Sequence, residues 1–273
     1  MELPDTKLLL ALFVLVGLLA WETIHPFFLF PKGRERLRHG ACNVFLGVVN
    51  GFMTTLVFVG LWWAAAAWAA RNGFGLLHFL SLPTVVEWVL AILMLDAWLY
   101  FWHRLNHRIP FLWRFHRVHH SDPHMDVTTA NRFHIGEIFM SATLRVPVIL
   151  ISGVTIGQIA LYELLMFAVV QFHHANIGIT ERWDRLLRAI IVTPFMHKVH
   201  HSRWHKETDS NYASFLSIWD RLFGSFRNNP DPASIRIGLN DFDRPEQQSV
   251  SGMFTTPLEK SKRRKTGQSE DRP

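Results

Sequence analysis

The chain of 273 residues has a single cysteine, Cys42. A lone thiol forms no intrachain disulfide and cannot supply the thiolates of a metal cluster. Charge is missing over long stretches as well. Ala41 to Ala70 carries none, and Leu8 to Phe30 carries only Glu22. Pro83 to Trp102 holds only Glu87 and Asp96, and Ile138 to Val170 only Arg145 and Glu163. A bilayer core of about 30 Å needs roughly 20 apolar residues of helix, so each run is long enough to cross. These runs argue against a soluble protein. The last, at 33 residues, is too long for one crossing, and Pro147, Gly153 and Gly157 are expected to break it into a hairpin. No G-x-G-x-x-G fingerprint and no H-E-x-x-H is present. The termini are short and featureless for a haem or flavin domain. Electrons for any redox chemistry are therefore expected from a separate protein.

What is there fits a membrane. Eleven tryptophans and 22 phenylalanines suit interfacial belts and lipid-facing surface. The first seven residues include Glu2, Asp5 and Lys7 rather than a basic patch, so the first apolar run is read as a retained span. Lys32, Arg34, Arg36 and Arg38 follow that run, and Arg104, Arg108, Arg114 and Arg117 follow the third. The positive-inside rule puts both connections in the cytoplasm and the N-terminus outside. The hairpin then returns the chain to the cytoplasmic side. A net charge of +6 suits loops near anionic lipid better than nucleic-acid binding. Residues from about Asn228 onward, including the basic run Lys260, Lys262, Arg263, Arg264 and Lys265, read as a flexible polar tail.

Thirteen of sixteen histidines fall between positions 103 and 205. They form His103-Arg-Leu-Asn-His107, His116-Arg-Val-His119-His120 and His197-Lys-Val-His200-His201. Residues three and four apart share a helix face, so each phrase projects its imidazoles together. Pro110 is expected to break the helix between the first two phrases. Imidazole is the commonest protein metal ligand. Eight clustered rings exceed the four positions of a zinc site and suit more than one ion. Nitrogen-rich sites take iron, copper, zinc or nickel, and spacing alone does not choose. Gln171 and His174 share a face near the end of the hairpin, with His173 about 100° away, so His174 is the preferred ligand of the pair. His134, three residues before Glu137, is a further candidate ligand, whereas His124 and His205 rank below it. His25, His39 and His78 lie outside the clusters and read as interfacial or structural. Asp96 lies one to two turns before His103 inside a span, where ionisable groups are costly and usually functional. It reads equally as an acceptor that fixes an imidazole tautomer or as a buried structural hydrogen bond.

With these motifs assembled, the chain resembles the fatty acid hydroxylase superfamily, also called the sterol desaturase family. The resemblance runs from about Asp96 to Ser225. It rests on Tyr100-Phe-Trp-His103-Arg-Leu-Asn-His107, Pro110-Phe-Leu-Trp-Arg-Phe-His116-Arg-Val-His119-His120-Ser121 and Phe172-His173-His174-Ala-Asn176. Thr193-Pro194-Phe-Met-His197-Lys-Val-His200-His201-Ser202, Asn211-Tyr212 and Trp219-Asp220-Arg-Leu-Phe-Gly224 complete it. It implies an all-α, integral-membrane bundle of about four to five embedded helices under a cytoplasmic, histidine-rich cap that holds two iron ions. Carried over, the ligands are His103, His107, His116, His119, His120, His174, His197, His200 and His201. His134-Ile-Gly-Glu137 stands where sterol-modifying members carry histidine-proline-x-glutamate, so the proline is missing beside candidate ligand His134. Asn211-Tyr212-Ala213 replaces the family's Asn-Tyr-Gly. Asp209, Asn211 and Asp220 are expected to fix the cap rather than bind metal.

The implied activity is O₂-dependent hydroxylation or desaturation of a membrane lipid such as a sterol, a carotenoid or a fatty-acyl lipid. A ferredoxin or a cytochrome b5-like protein with its reductase would donate electrons. Asp96, Glu137 and Asp209 are the carboxylates expected to serve the reaction, with Asp122 and Asp126 as further offsets to the metal charge. Zinc in a purified sample would not decide the metal, because such ligands exchange readily. The expected organisation is membrane spans over 1–82, a catalytic unit over 83–227 and a tail over 228–273. A bacterial inner membrane is the expected location, for want of a C-terminal retention signal. The rival readings are a membrane metal-ion transporter and a non-enzymatic metal- or haem-binding membrane protein. A transporter would string its ligands along a path at membrane depth rather than gather them at the span ends.

Overall fold

The computed structural model describes residues 3–30 and 33–260, with residues 3–12 as backbone only. Glu2, Lys32 and the basic residues Lys262, Arg263, Arg264 and Lys265 lie outside the described residues. Helix α1 (Leu3–Ile24) is followed by α2 (Arg34–Met53). A π-helical turn at Thr54–Val59 carries α2 into α3 (Gly60–Arg71), and the short α4 (Leu76–Phe79) ends this run. Next come α5 (Thr84–Arg108) and α6 (Pro110–His120), then α7 (Ile135–Ser152) and α8 (Ile156–His174). The cap adds α9 (Glu181–Leu187), α10 (Pro194–His200), α11 (His205–Thr208), α12 (Ile218–Leu222) and α13 (Val250–Thr255). Among the described residues there is no β-strand, only isolated bridges such as Ser202 with Ile237.

Four stretches are long and apolar enough to cross a membrane: Arg34–Phe79, Thr84–Arg108, Ile135–Ser152 and Ile156–His174. The described apolar part of α1, Phe13–Ile24, is shorter. The spans meet in a cluster of Phe58, Trp62, Leu95, Ile149 and Tyr162. Ala65, Ala66, Ala91 and Ala142 also belong to it, and side chains this small let helix backbones approach without a hydrophobic drive from water. Large apolar side chains such as Phe52, Leu56, Trp63, Val85 and Phe139 point outward. That outward apolar surface is what lipid contact requires.

Helix α7 runs through Pro147 and stops at Gly153, which adopts the left-handed conformation (φ 76°). Thr155 then caps α8 in a reciprocal pair with Gln158. The hairpin thus turns at Gly153, and Pro147 bends no corner. At this turn Gly75 (φ 108°) crosses Gly153 so closely that a Cβ on Gly75 would lie 2.5 Å from the Gly153 Cα.

Helix α2 begins on the cap rather than in the spans. His39, Asn43 and Asn50 form a polar stripe at helical spacing. His39 Nε2 lies 2.8 Å from Asp122 Oδ2, Asn43 donates to Thr128 Oγ1 and Asn50 donates to the Phe133 carbonyl. His39, expected to be interfacial or structural, therefore pins α2 to the cap. Buried Arg132 completes the joint through Val118 O, Asn43 Oδ1, Ser121 Oγ and Gln248 Oε1.

The expected flexible tail begins differently. Residues 229–259 fold back over the cap, with Ile235 and Ile237 packed on Met125 and Val199, and Met253 on Leu46 and Val118. The Arg117 guanidinium donates to the carbonyls of Thr256 and Glu259. The segment's average polarity conceals a few well-spaced apolar residues that bury themselves.

Gly75→Ala is expected to destabilise the protein by about 1–3 kcal/mol, the usual range for overpacking a tight contact. Gly60→Ala, which meets open space within a helix, should be neutral to stabilising by up to about 1 kcal/mol. Thermal unfolding of both variants in detergent checks the difference.

Candidate metal centre

Four helices aim their C-terminal ends at one volume. α5 delivers His103 and His107 in its last two turns, and Pro110 at the start of α6 turns the chain back so that His116, His119 and His120 face them. α8 ends on His173 and His174, while α10 ends on His197 and His200 with His201 as its C-cap. Helix C-termini carry partial negative charge, which favours a cation placed among them.

The ligand atoms sort into two groups, each with all atoms within 4.8 Å of one another. His103, His107, His116, His120 and His200 form the first, and His119, His174, His197 and His201 the second. The groups touch, with the rings of His120 and His201 stacked at 4.4 Å.

Hydrogen-bond partners fix the tautomers, since a carbonyl or carboxylate only accepts. His103 Nδ1 donates to the Tyr212 carbonyl at 2.7 Å, His200 Nδ1 to the Ser210 carbonyl at 2.6 Å and His116 Nδ1 to Glu137 Oε1 at 2.8 Å. In a neutral ring the other nitrogen is then bare. Yet His103 Nε2 lies 3.0 Å from both His116 Nε2 and His200 Nε2. Three lone pairs facing one another repel unless a cation sits among them. In the second group His174 Nδ1 donates to the Val170 carbonyl, and its bare Nε2 lies 3.1 Å from His119 Nε2 and 3.0 Å from His197 Nε2. Burial pushes His119, His120, His197 and His201 well below the ordinary histidine range and His200 to about 3. These imidazoles are neutral at physiological pH and available as ligands. The residues therefore fit a pair of metal ions in donor type, protonation and placement.

Two carboxylates act on the ligand rings. Glu137 Oε1 accepts hydrogen bonds from His116 Nδ1 and the Asn106 amide, while Asp209 Oδ1 lies 3.3 Å from His107 Nδ1. Fixing imidazole orientation in this way is what outer partners of metal ligands do. A pinned loop sets the remaining acceptors. Asn211 holds a left-handed φ of 52°, donates to the Met196 and Arg227 carbonyls, and so aims the flanking Ser210 and Tyr212 carbonyls at the rings. Asp220 grips the same loop by accepting from Tyr212 N and Ala213 N. Sequence reasoning misses Asn106 and the two carbonyls. Asn106 carries a signal, because it is a buried polar residue next to His107 in the last turn of α5.

Two candidates are placed elsewhere. Asp96 touches no imidazole: Tyr162 Oη, Leu216 N and Trp219 Nε1 (2.7 Å) donate to it, tying α5 to α8 and the cap. It is the buried structural acceptor of the two readings. His134 caps α7, its Nδ1 accepting from Gly136 N and its Nε2 lying 3.3 Å from the Phe254 carbonyl. Both of its nitrogens are engaged away from the ligand groups, so it is not gathered with them. His173 is buried against His197 with ring centroids 3.9 Å apart, yet it belongs to neither group. His124 and His205 are exposed.

A cavity of about 270 Å³ opens on both ligand groups. His103, His116, His119, His174 and His197 form its metal end, and Trp62, Leu99, Phe133, Met166 and Phe167 line its apolar length between the spans.

A helical membrane protein with paired imidazole cages over an apolar cavity is the class that these observations define. The model of the fatty acid hydroxylase family matches residues 88–225, and the chain belongs to that family. Ornithine lipid hydroxylase OlsE of Rhizobium tropici is 34% identical over 163 residues, 58% of this chain and 46% of that protein. Alkylglycerol monooxygenase of Danio rerio is 34% identical over 164 residues, 59% of this chain and 35% of that protein. Cholesterol 25-hydroxylase of Mus musculus is 24% identical over 228 residues, 81% of this chain and 70% of that protein. The chain spans less than half the length of the first two. No solved structure matches it.

Glu137→Ala is expected to weaken metal retention about 10- to 100-fold, with partial recovery in Glu137→Gln, as competition against a chelator will read. The metal-free protein should also be acid-sensitive. His119, His120, His197, His200 and His201 bind protons at about pH 6.5 only once unfolded, so their contribution to stability is full above that pH and falls as pH drops toward the folded values. Unfolding temperatures of metal-free protein at about pH 7.5 and about pH 5 test this. Equal values would show that the rings are not held neutral.

Proposed function

We propose that the protein is an integral-membrane oxidoreductase that uses O₂ and two iron ions to hydroxylate or desaturate a membrane lipid, with electrons from a separate ferredoxin or cytochrome b5-like donor. The single observation that carries the reading is the apolar, membrane-depth cavity that ends on both imidazole groups. A hydrolytic or purely structural metal site has no use for such a channel. A transport path would run its ligands along the spans, whereas these gather at one end of the bundle.

His103, His107, His116, His120 and His200 would hold one ion and His119, His174, His197 and His201 the other. Bound iron supplies the activation of O₂ and the removal of hydrogen from an unactivated C–H bond. The chain's own residues do the rest. Tyr212 O, Ser210 O, Val170 O and Glu137 hold the rings in the tautomer that points Nε2 inward. Asp209 does the same for His107 and helps offset the positive charge of an all-imidazole site. The aromatic and aliphatic wall admits an alkyl chain from the bilayer side and excludes water from the reacting carbon. Leu99, Phe133 and Met166 would position that chain beneath the ligands. The basic loops favour a cytoplasmic cap, where a separate donor can reach it.

Purified protein should contain close to two irons per chain after loading, and should consume O₂ and NADH only with a reductase and lipid present. His103→Ala and His197→Ala, one from each group, are each expected to lose about 100-fold or more in turnover along with bound metal. Mass spectrometry of the lipid extract should find a gain of one oxygen or a loss of two hydrogens. A fully loaded protein that turns over no lipid with any donor would overturn the proposal.

A further inference from the structure

The cavity extends beyond the metal end between α7 and α8, and each helix places its one mid-span charge on the cavity wall. Arg145 and Glu163 both line it and form an ion pair. The Arg145 side chain is 8% exposed and that of Glu163 37%. The guanidinium carbon lies 4.8 Å from the centre of the Trp62 ring, and its buried Nε has no hydrogen-bond partner. A pair serving only to join two helices has no reason to leave a buried donor idle and a carboxylate open to a cavity. Charges at this depth are costly, and idle ones are rare outside functional paths.

The spacing is informative. Arg145 stands eight residues along α7 from Glu137, the partner of His116, and Glu163 stands eleven residues along α8 from His174. At 1.5 Å per residue, Arg145 stands about 12 Å along α7 from Glu137 and Glu163 about 16 Å along α8 from His174. Between the two ends the wall is mostly apolar, formed by Leu99, Ile138, Ala142, Met166 and Phe167, with Ser141 among them.

We propose that Arg145 and Glu163 form a subsite for an uncharged hydroxyl on the lipid substrate. This rests on the lipid-oxidising reading above and names the substrate class as a long alcohol. A hydroxyl oxygen accepts from the guanidinium while its hydrogen is donated to the carboxylate, so both charges gain a partner and neither is displaced. A fatty carboxylate meets Glu163 as a like charge, and an ammonium meets Arg145 in the same way. An alkane offers the pair nothing. Anchored there, the substrate sends its apolar end to the metal ligands, so oxidation falls far from the hydroxyl.

Equilibrium binding of labelled 1-octadecanol to the metal-loaded protein, competed by octadecanoate or octadecane, tests the assignment. The alcohol should bind about tenfold or more tighter than either competitor. The double variant Arg145→Met with Glu163→Leu removes both charges at similar volume, a change that cores commonly tolerate. It should keep its metal and lose the preference. Wild-type protein that binds the three probes alike overturns the subsite, whether or not the double variant assembles. A metal-loaded double variant that keeps the preference overturns it too. Binding is read without turnover, so the two readings fail separately. A protein that prefers the alcohol but oxidises nothing sinks the proposed function alone, and one that oxidises lipids without preference sinks the subsite alone.

Discussion

The cap is organised around imidazole lone pairs that converge on one another in two groups, an arrangement that a bound cation would satisfy. His103, His116 and His200 direct bare Nε2 atoms at one another at 3.0 Å because their Nδ1 protons are committed to Tyr212, Glu137 and Ser210. Four helix ends are held against this repulsion by packing elsewhere. Arg132, Asn43 and Asp122 lock α2 to the cap, Asp96 locks α5 to α8 and Trp219, and the returning segment at 229–259 clamps α6. In this sense the cap is a preloaded frame, and a bound metal would relieve the cost that its assembly imposes.

The same arrangement explains how one end of a membrane bundle can be strongly polar while its length stays apolar. The ligand rings lie at the ends of α5 and α8 and on helices outside the spans, where backbone carbonyls offset part of the cost of burying them and a bound cation would offset more. The cavity beneath them needs no charge to hold its shape. Arg145 and Glu163 are therefore conspicuous, being charges in the middle of paired spans that the metal centre does not require.

Helical spacing makes the clusters legible in the chain itself, because residues three and four apart share a face in every α-helix. The break at Pro110, the preference for His174 over His173 among the grouped ligands, and the membrane character of the apolar runs follow from the same elementary rules. Other features are not legible, for equally physical reasons. His134 has ligand chemistry, but a helix N-terminus also needs an acceptor, and the sequence does not say which demand it serves. Local spacing balances Asp96 between two roles, and its partner Trp219, 123 residues away, decides between them. Average polarity hides the packing of 229–259, where a few buried apolar side chains outweigh many solvated ones.

The sequence by itself determined that this is a membrane-embedded helical protein carrying clustered imidazoles, because composition and short-range periodicity are local properties of the chain. Only the tertiary structure decided how those imidazoles divide into two groups, which ring nitrogens are bare and which carboxylates serve them. Those answers depend on carbonyls and side chains distant in sequence, and such partners meet only when the helices pack.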